Sequence, residues 1–264
     1  MARTLIRPTA FVDSPFGHDG KVARLAGGLN WFSAVELLSV EGSRRVAAEL
    51  LGVSELERRL TGELATQWNA LTGTRAPLHL GERVVRLDQP HVMGIINVTP
   101  DSFSDGGRFA EAGSAVGAGV DMASQGAAIL DIGGESTRPG AKPVWAQDEV
   151  ERVLPVIQQL AAGGAAVSVD TRKSEVMAAA VGAGARMVND VSALTFDPRS
   201  GETIAAAGVP VVLMHHLGSP ETMQQDPRYE DVLVEVYLWL EERIAAAEAA
   251  GIARTNILID PGFG

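Results

Sequence analysis

From residue 91 onward, short runs of β-branched and aliphatic residues alternate with longer alanine-rich stretches whose apolar positions recur every three or four residues. Such alternation marks parallel strands joined by crossover helices. Six strands are predicted, over 92–98, 128–132, 166–170, 186–189, 210–215 and 256–260, with helices over 113–125, 147–161, 174–183, 200–207 and 229–250. The strands are apolar almost without interruption, which implies burial on both faces, as a helix-covered parallel sheet requires. The last helix is the most regular. Val232, Val236, Trp239, Leu240 and Ile244 recur at three- and four-residue spacings, Glu235, Glu241, Glu242 and Arg243 fill other positions, and Gly251 ends the run.

Residues 1–90 differ in character. A periodic stretch from Ser33 to Leu60 predicts two or three helices, with Ser54 and Glu57 spaced as a capping box. Residues 78–80 and 83–87, separated by Gly81-Glu82, predict a short hairpin. The expected organisation is a mainly helical N-terminal extension over 1–90, ending in that hairpin, followed by an α/β domain over 91–264. The extension carries no repeat or chemical motif and reads as a docking or oligomerisation appendage. His18, in a Gly-rich loop without a ligand partner, reads as a loop histidine.

The polar residues of the second region collect where strands end. Ile95-Ile96 runs into Asn97-Val98-Thr99-Pro100-Asp101-Ser102-Phe103-Ser104-Asp105-Gly106-Gly107, and Ile129-Leu130 into Asp131, then Gly133-Gly134-Glu135-Ser136-Thr137-Arg138-Pro139-Gly140. Further on, Val169 precedes Asp170, Val188 precedes Asn189-Asp190, and Ile259 precedes Asp260-Pro261-Gly262. Each of these alone is accounted for by a turn or a helix cap. Together they are not, because carboxylates that converge on one face repel unless a cation or a donor-rich ligand lies between them. His215-His216 closes the fifth strand; adjacent strand residues point to opposite faces, so the two do not form a simple metal pair.

Composition narrows the chemistry. The 264 residues are 46% hydrophobic, enough for a sizeable core. The net charge of -11 argues against a surface that tracks nucleic acid. With no cysteine there is no disulfide or thiolate chemistry, and the chain suits a reducing compartment. Residues 1–16 lack a signal-peptide core, and no segment approaches the ~20 apolar residues of a membrane span, so a cytoplasmic location without membrane association is expected.

The strand-end motifs over 91–264 resemble those of the dihydropteroate synthases. A parallel sheet with polar carboxyl ends fits either an open doubly wound sheet or a (β/α)8 TIM-type barrel. The resemblance favours the barrel, of which this chain supplies about six strands. The family's seventh- and eighth-strand motifs are absent, so a C-terminal truncation is expected.

The resemblance implies an activity: condensation of 6-hydroxymethyl-7,8-dihydropterin diphosphate with p-aminobenzoate, giving dihydropteroate and diphosphate, in an enzyme that is a homodimer when complete. It implies that Asp170, Asn189 and Asp260 bind the pterin ring, whose amino and N–H donors call for carboxylates and whose carbonyl calls for an amide, and that Met214 packs against it. Thr137 and Arg138 fall to the diphosphate, Pro139 and the loop from Asp101 to Gly107 to the p-aminobenzoate site, and Asn97 to a magnesium ion, Mg2+, held largely by waters and phosphate oxygens. Arg138 and Asp170 are the expected catalytic groups together with Asp131, which either orients its loop or sits beside the developing pterin cation. Two alternatives remain: a pterin-binding methyltransferase domain, whose aspartates and asparagine are similar, and a non-catalytic pterin-binding fragment.

Overall fold

The structure, a computed structural model, describes residues 3–98, 107–135, 143–218 and 228–263. The chain divides into two compact units, one of Met1–Pro77, Arg86–Pro90 and Tyr229–Leu238, the other of Leu78–Val85, His91–Arg228 and Trp239–Gly264.

The first unit is built on a sheet. β1 (Arg3–Val12) runs antiparallel to β3 (Trp31–Glu41), which also pairs with β2 (Ala23–Arg24) and β4 (Arg44–Gly52). Helices α1 (Val53–Glu57) and α2 (Gly62–Thr72) follow. The helical expectation over 33–60 is thus corrected: helix begins only at Val53, and most of that stretch is strand. The buried residues of β3 are Phe32, Val35, Leu38 and Val40. Phe32 and Val35 pack with Leu51, Val53, Leu56 and Trp68, whereas Leu38 and Val40 pack with Leu5 and Val234. These buried positions fall at intervals of three, three and two residues, close to a helix period, which is what the sequence displays. The alanines of β4 favour helix, but pairing with β3 overrides that preference. The capping box does not form, since Gly52 is the N-cap of α1 and no side chain caps it.

In the second unit six parallel strands stand in chain order: β7 (Val92–Asn97), β8 (Ala127–Gly133), β9 (Val167–Asp170), β10 (Met187–Asp190), β11 (Val211–Met214) and β12 (Ile257–Asp260). Between them run α3 (Gly107–Ser124), α4 (Ala146–Ala162), α5 (Ser174–Ala183), α6 (Ser200–Ala207) and α7 (Val232–Ala249). All six predicted strands and all five predicted helices are found. This is the strand order of a TIM-type barrel, with β7 and β12 at the two edges of the sheet. Alternate strand residues face the helices. Ile96, Leu130, Ile132, Val167, Val169, Val188, Val211 and Leu213 form the core there with Val153, Ile157, Leu160, Val176, Met177 and Ile204.

The predicted hairpin is present as β5 (Leu78–Leu80) and β6 (Arg83–Val85), turning at Gly81 with φ +68°. Arg83 Nε donates to the carbonyl of Gly164, and Gly81 lies against the Arg186 side chain. Both contacts are to residues that precede strands, so the hairpin sits by the amino ends of the sheet. The opposite end carries the chemistry.

Candidate functional site

Register explains how the polar residues come together. Asn97 on β7 pairs with Gly133 on β8, Gly133 with Asp170 on β9, and Asp170 with Asn189 on β10. Four strand ends therefore place one row of residues across the sheet. Because side chains alternate faces, residues two positions earlier share the row's face: Ile95, Asp131, Ser168 and Met187, themselves in register. Met214 and Asp260 pair on β11 and β12.

Glycine at 133 keeps the row open. A Cβ there would stand 3.4 Å from both Asn97 Oδ1 and Asp170 Oδ2. Gly134 serves the other face, where a Cβ would meet Val153 Cγ1 at 2.8 Å and Glu149 Cγ at 2.9 Å. The two glycines are not simply a bend. One clears the site and the other lets α4 approach the strand end.

Asp131 is only 2% exposed, and its Oδ2 accepts a 2.8 Å hydrogen bond from Asn189 Nδ2. Its Oδ1 and the Ser168 hydroxyl, register neighbours, are both buried. Burial raises the Asp131 carboxyl above the usual carboxylate range, against the opposing pull of Ser168 and Asn189. Asp170 is displaced further. Burial first, then the negative charges of Asp131, Glu149, Asp190 and Glu135, hold it well above the ordinary range. Such a site favours a ligand that brings hydrogen-bond donors or positive charge.

Asp190 has a different task. Its Oδ1 accepts from Ser192 N–H and Oγ (2.8 and 2.6 Å) and its Oδ2 from Leu194 N–H at 2.9 Å. It thereby fixes the turn in which Ala193 and Leu194 adopt positive φ. Of the Asn189-Asp190 pair, the asparagine enters the site and the aspartate builds the loop. Ser174 does not cap its own helix; its N–H and Oγ both donate to Asp197 Oδ2. Asp260 Oδ1 accepts from Gly262 N–H at 2.7 Å.

The histidines take structural surroundings. Both rings lie edge-on to Trp239, at 5.1 Å for His215 and 5.2 Å for His216. His215 is buried and its imidazole is pushed down, by burial and then by His216, which favours its neutral form. His216 Nδ1 lies 2.7 Å from the carbonyl of Gly218. Thr137, Arg138 and Pro139, and most of the loop from Asp101 to Gly107, lie outside the described residues.

Sequence reasoning passed over a charged cluster beside the row. Glu135 accepts from Arg172 Nε and Lys173 Nζ, and Lys173 also donates to Glu149, which is fully buried. The hint was present: Glu135 follows the two glycines, and Lys173 lies three residues after Asp170. A cavity of about 810 Å³ opens next to this cluster, lined by Glu135, Trp145, Arg172, Phe196 and His216 among others. The Arg172 guanidinium stacks 4.1 Å above the Phe196 ring. None of the expected pterin-binding residues lines it. Among the described residues no group of three or more His, Asp or Glu could hold a metal, and no helix is long and apolar enough to cross a membrane.

The chain is similar in sequence and fold to known proteins. The dihydropteroate synthase of Escherichia coli is 49% identical over 179 residues, covering 67% of this chain and 63% of that enzyme. The one from Mycobacterium leprae is 47% identical over 174 residues, 66% of this chain and 61% of that enzyme. The chain thus spans a little under two thirds of the length of these relatives. Among solved structures, the Xanthomonas albilineans dihydropteroate synthase with 4-aminobenzoic acid superposes with a TM-score of 0.66 at 53% identity, over 72% of this chain and 68% of that one. The same organism's enzyme in complex with 7,8-dihydropteroate gives 0.63 at 49% identity, over 72% and 66%. The "Pterin binding enzyme" family matches residues 93–264, which contain the whole row from Asn97 to Asn189 and also Asp260, and the chain belongs to that family.

Proposed function

We propose that this chain carries the pterin site of a dihydropteroate synthase, a transferase of folate biosynthesis that joins 6-hydroxymethyl-7,8-dihydropterin diphosphate to p-aminobenzoate with loss of diphosphate. The observation that carries the reading is the row itself. Asp131, Asp170 and Asn189 gather at the carboxyl ends of three neighbouring strands, with both carboxyls raised, by burial first. A pterin edge presents amino and N–H donors beside one carbonyl, and this set answers both. Relatives whose structures hold 4-aminobenzoic acid and 7,8-dihydropteroate support it.

In this reading Asp170 and Asp260 accept from the ring, and Asn189, already donating one amide hydrogen to Asp131, offers its remaining hydrogen and its carbonyl. Met214, the register neighbour of Asp260, packs on the ring face. Departure of diphosphate leaves positive charge on the pterin methyl carbon. Asp131 and Asp170, once ionised, stabilise that charge, and no nucleophilic side chain is needed. Thr137 and Arg138 grip the diphosphate and Pro139 borders the p-aminobenzoate site.

The oxygen of Asn97 fits a magnesium ion of the kind that keeps most of its waters and binds through phosphate. It stands across Gly133 from Asp170, and its amide adds no further charge to a crowded set of carboxylates. Bound there, magnesium would supply charge neutralisation for the leaving diphosphate.

The test is a calorimetric titration of 6-hydroxymethylpterin into the chain and into Asp170→Asn. We expect the variant to bind at least about tenfold more weakly, since a charge-assisted acceptor is exchanged for an amide. Equal affinities would remove Asp170 from the site.

A further inference from the structure

The charged cluster beside the row has no part in the proposed reaction, yet it is among the most buried features of the second unit. Lys173 Nζ donates to Glu135 Oε2 at 2.9 Å and to Glu149 Oε2, and Arg172 Nε donates to the same Glu135 oxygen at 3.2 Å. Glu135 Oε1 accepts the Val144 N–H at 3.0 Å. The side chains of Lys173, Glu135 and Glu149 are 12%, 6% and 0% exposed. Two cations and two anions are therefore matched with little exposure to solvent, drawn from the end of β8, the first turn of α4 and the turn between β9 and α5.

That last turn is the one that carries Asp170. It spans only Asp170-Thr171-Arg172-Lys173 before the helix starts at Ser174, and Lys173 is the N-cap. Its backbone is held by Thr171 N–H on the carbonyl of Asn189 (3.1 Å) and by Lys173 N–H on Thr171 Oγ1 (3.3 Å). Glu149 can enter because Gly134 has no Cβ to block its Cγ. A short turn with both its backbone and its last side chain fixed leaves Asp170 little freedom, and preorganised groups of this kind are what a binding site requires.

We propose that Lys173 is a positioning residue for the pterin site: its ammonium clamps the Asp170 turn against Glu135 and Glu149 and, together with Arg172, offsets the charge of those two buried carboxylates. The charged groups that act on Asp170 are Asp131 on β8, Glu135 after it, Glu149 on α4 and Asp190 on β10, and its own turn carries the cations Arg172 and Lys173. The carboxylates among them already raise Asp170. Loss of the Lys173 charge strengthens that push, whereas loss of the Glu149 charge relaxes it. The consequence for pterin rests on the function proposed above; the clamp itself is readable without pterin.

The experiment follows the Asp170 side-chain carbon by 13C NMR against pH, assigned by its absence in Asp170→Asn, with near-UV circular dichroism as the folding control. Lys173→Met should move the Asp170 midpoint up by roughly one pH unit, a tenfold change in proton affinity, and weaken 6-hydroxymethylpterin about tenfold at neutral pH. Glu149→Gln keeps the Lys173 to Glu135 bond and should move the midpoint down. Lys173→Arg should restore most of the affinity. Should Lys173→Met fail to fold, Glu149→Gln decides. A folded Lys173→Met with unchanged midpoint and affinity, or a Glu149→Gln with unchanged midpoint, overturns the proposal. Shifted midpoints in a protein that binds no pterin would support the clamp and sink the functional reading instead.

Discussion

Asn189 on β10 donates to Asp131 on β8 at 2.8 Å, a bond that reaches over β9, the strand standing between them. It passes between the register positions of Ser168 and Asp170, and Ser168 is small enough to leave room. The bond ties the deepest carboxyl of the site to the residue expected to read the pterin. Asn189→Ala should cost roughly 1–3 kcal/mol, the usual range when a buried acceptor loses its donor. Urea unfolding at neutral pH and again near pH 3 checks it. The loss should shrink in acid, where a protonated Asp131 depends less on the donor; an equal loss at both would mean that the bond ignores charge.

The raised Asp170 carboxyl gives a signed pH dependence. Its folded pKa lies above the unfolded value, so the folded chain holds the extra proton between the two. The contribution to stability is whole below the ordinary aspartate value of about 3.9 and declines as pH rises through the folded value. A donor-rich ligand selects the ionised form. Pterin affinity should therefore increase with pH across that window and binding should release a proton. Titrations in two buffers of different ionisation enthalpy measure this directly, and proton uptake would reverse the assignment.

The two glycines should respond differently to a methyl group. At Gly134 the added Cβ meets Val153 and Glu149 below 3.0 Å and the Glu149 carbonyl at 3.2 Å, so Gly134→Ala should destabilise by about 1–3 kcal/mol through overpacking. At Gly133 the contacts are 3.4 Å, tolerable for the fold but directed at Asn97 and Asp170. Gly133→Ala should leave the melting temperature nearly unchanged and weaken pterin binding. Equal melting losses from both would contradict the division of labour.

In the first unit, Arg45 grips Asp231 with two bonds, Nε to Oδ2 at 2.8 Å and Nη2 to Oδ1 at 3.1 Å. Hydrogen bonding from Arg45 holds the Asp231 carboxyl below its ordinary range. Stability from this pair is therefore present above the unfolded aspartate value and lost as pH falls through the depressed one. The pair is partly solvated, so Arg45→Met should cost only about 1 kcal/mol at neutral pH. Denaturant titration should show a smaller loss at pH 3 than at pH 7.

Much of the second unit was legible from the chain. The strands are continuous apolar runs, buried in the middle of the sheet although Val92, Ile95 and Ile259 on its edge strands are exposed, and each ends where a polar residue begins, so Asn97, Asp131, Asp170, Asn189 and Asp260 could be named from position alone. Helix periods between them fixed the βα alternation. The first unit misled for a physical reason: β3 is covered on both faces, its buried positions fall at helix-like intervals, and its partner β4 is rich in helix-favouring alanine. Only pairing between distant segments settled it as sheet. Tertiary structure alone decided which neighbour each strand-end residue meets. Asp190 turned to its own loop while Asn189 crossed a strand to Asp131, and Lys173 found two carboxylates 24 and 38 residues away. Those choices depend on register and on bare glycine surfaces, and neither leaves a periodic trace in a sequence.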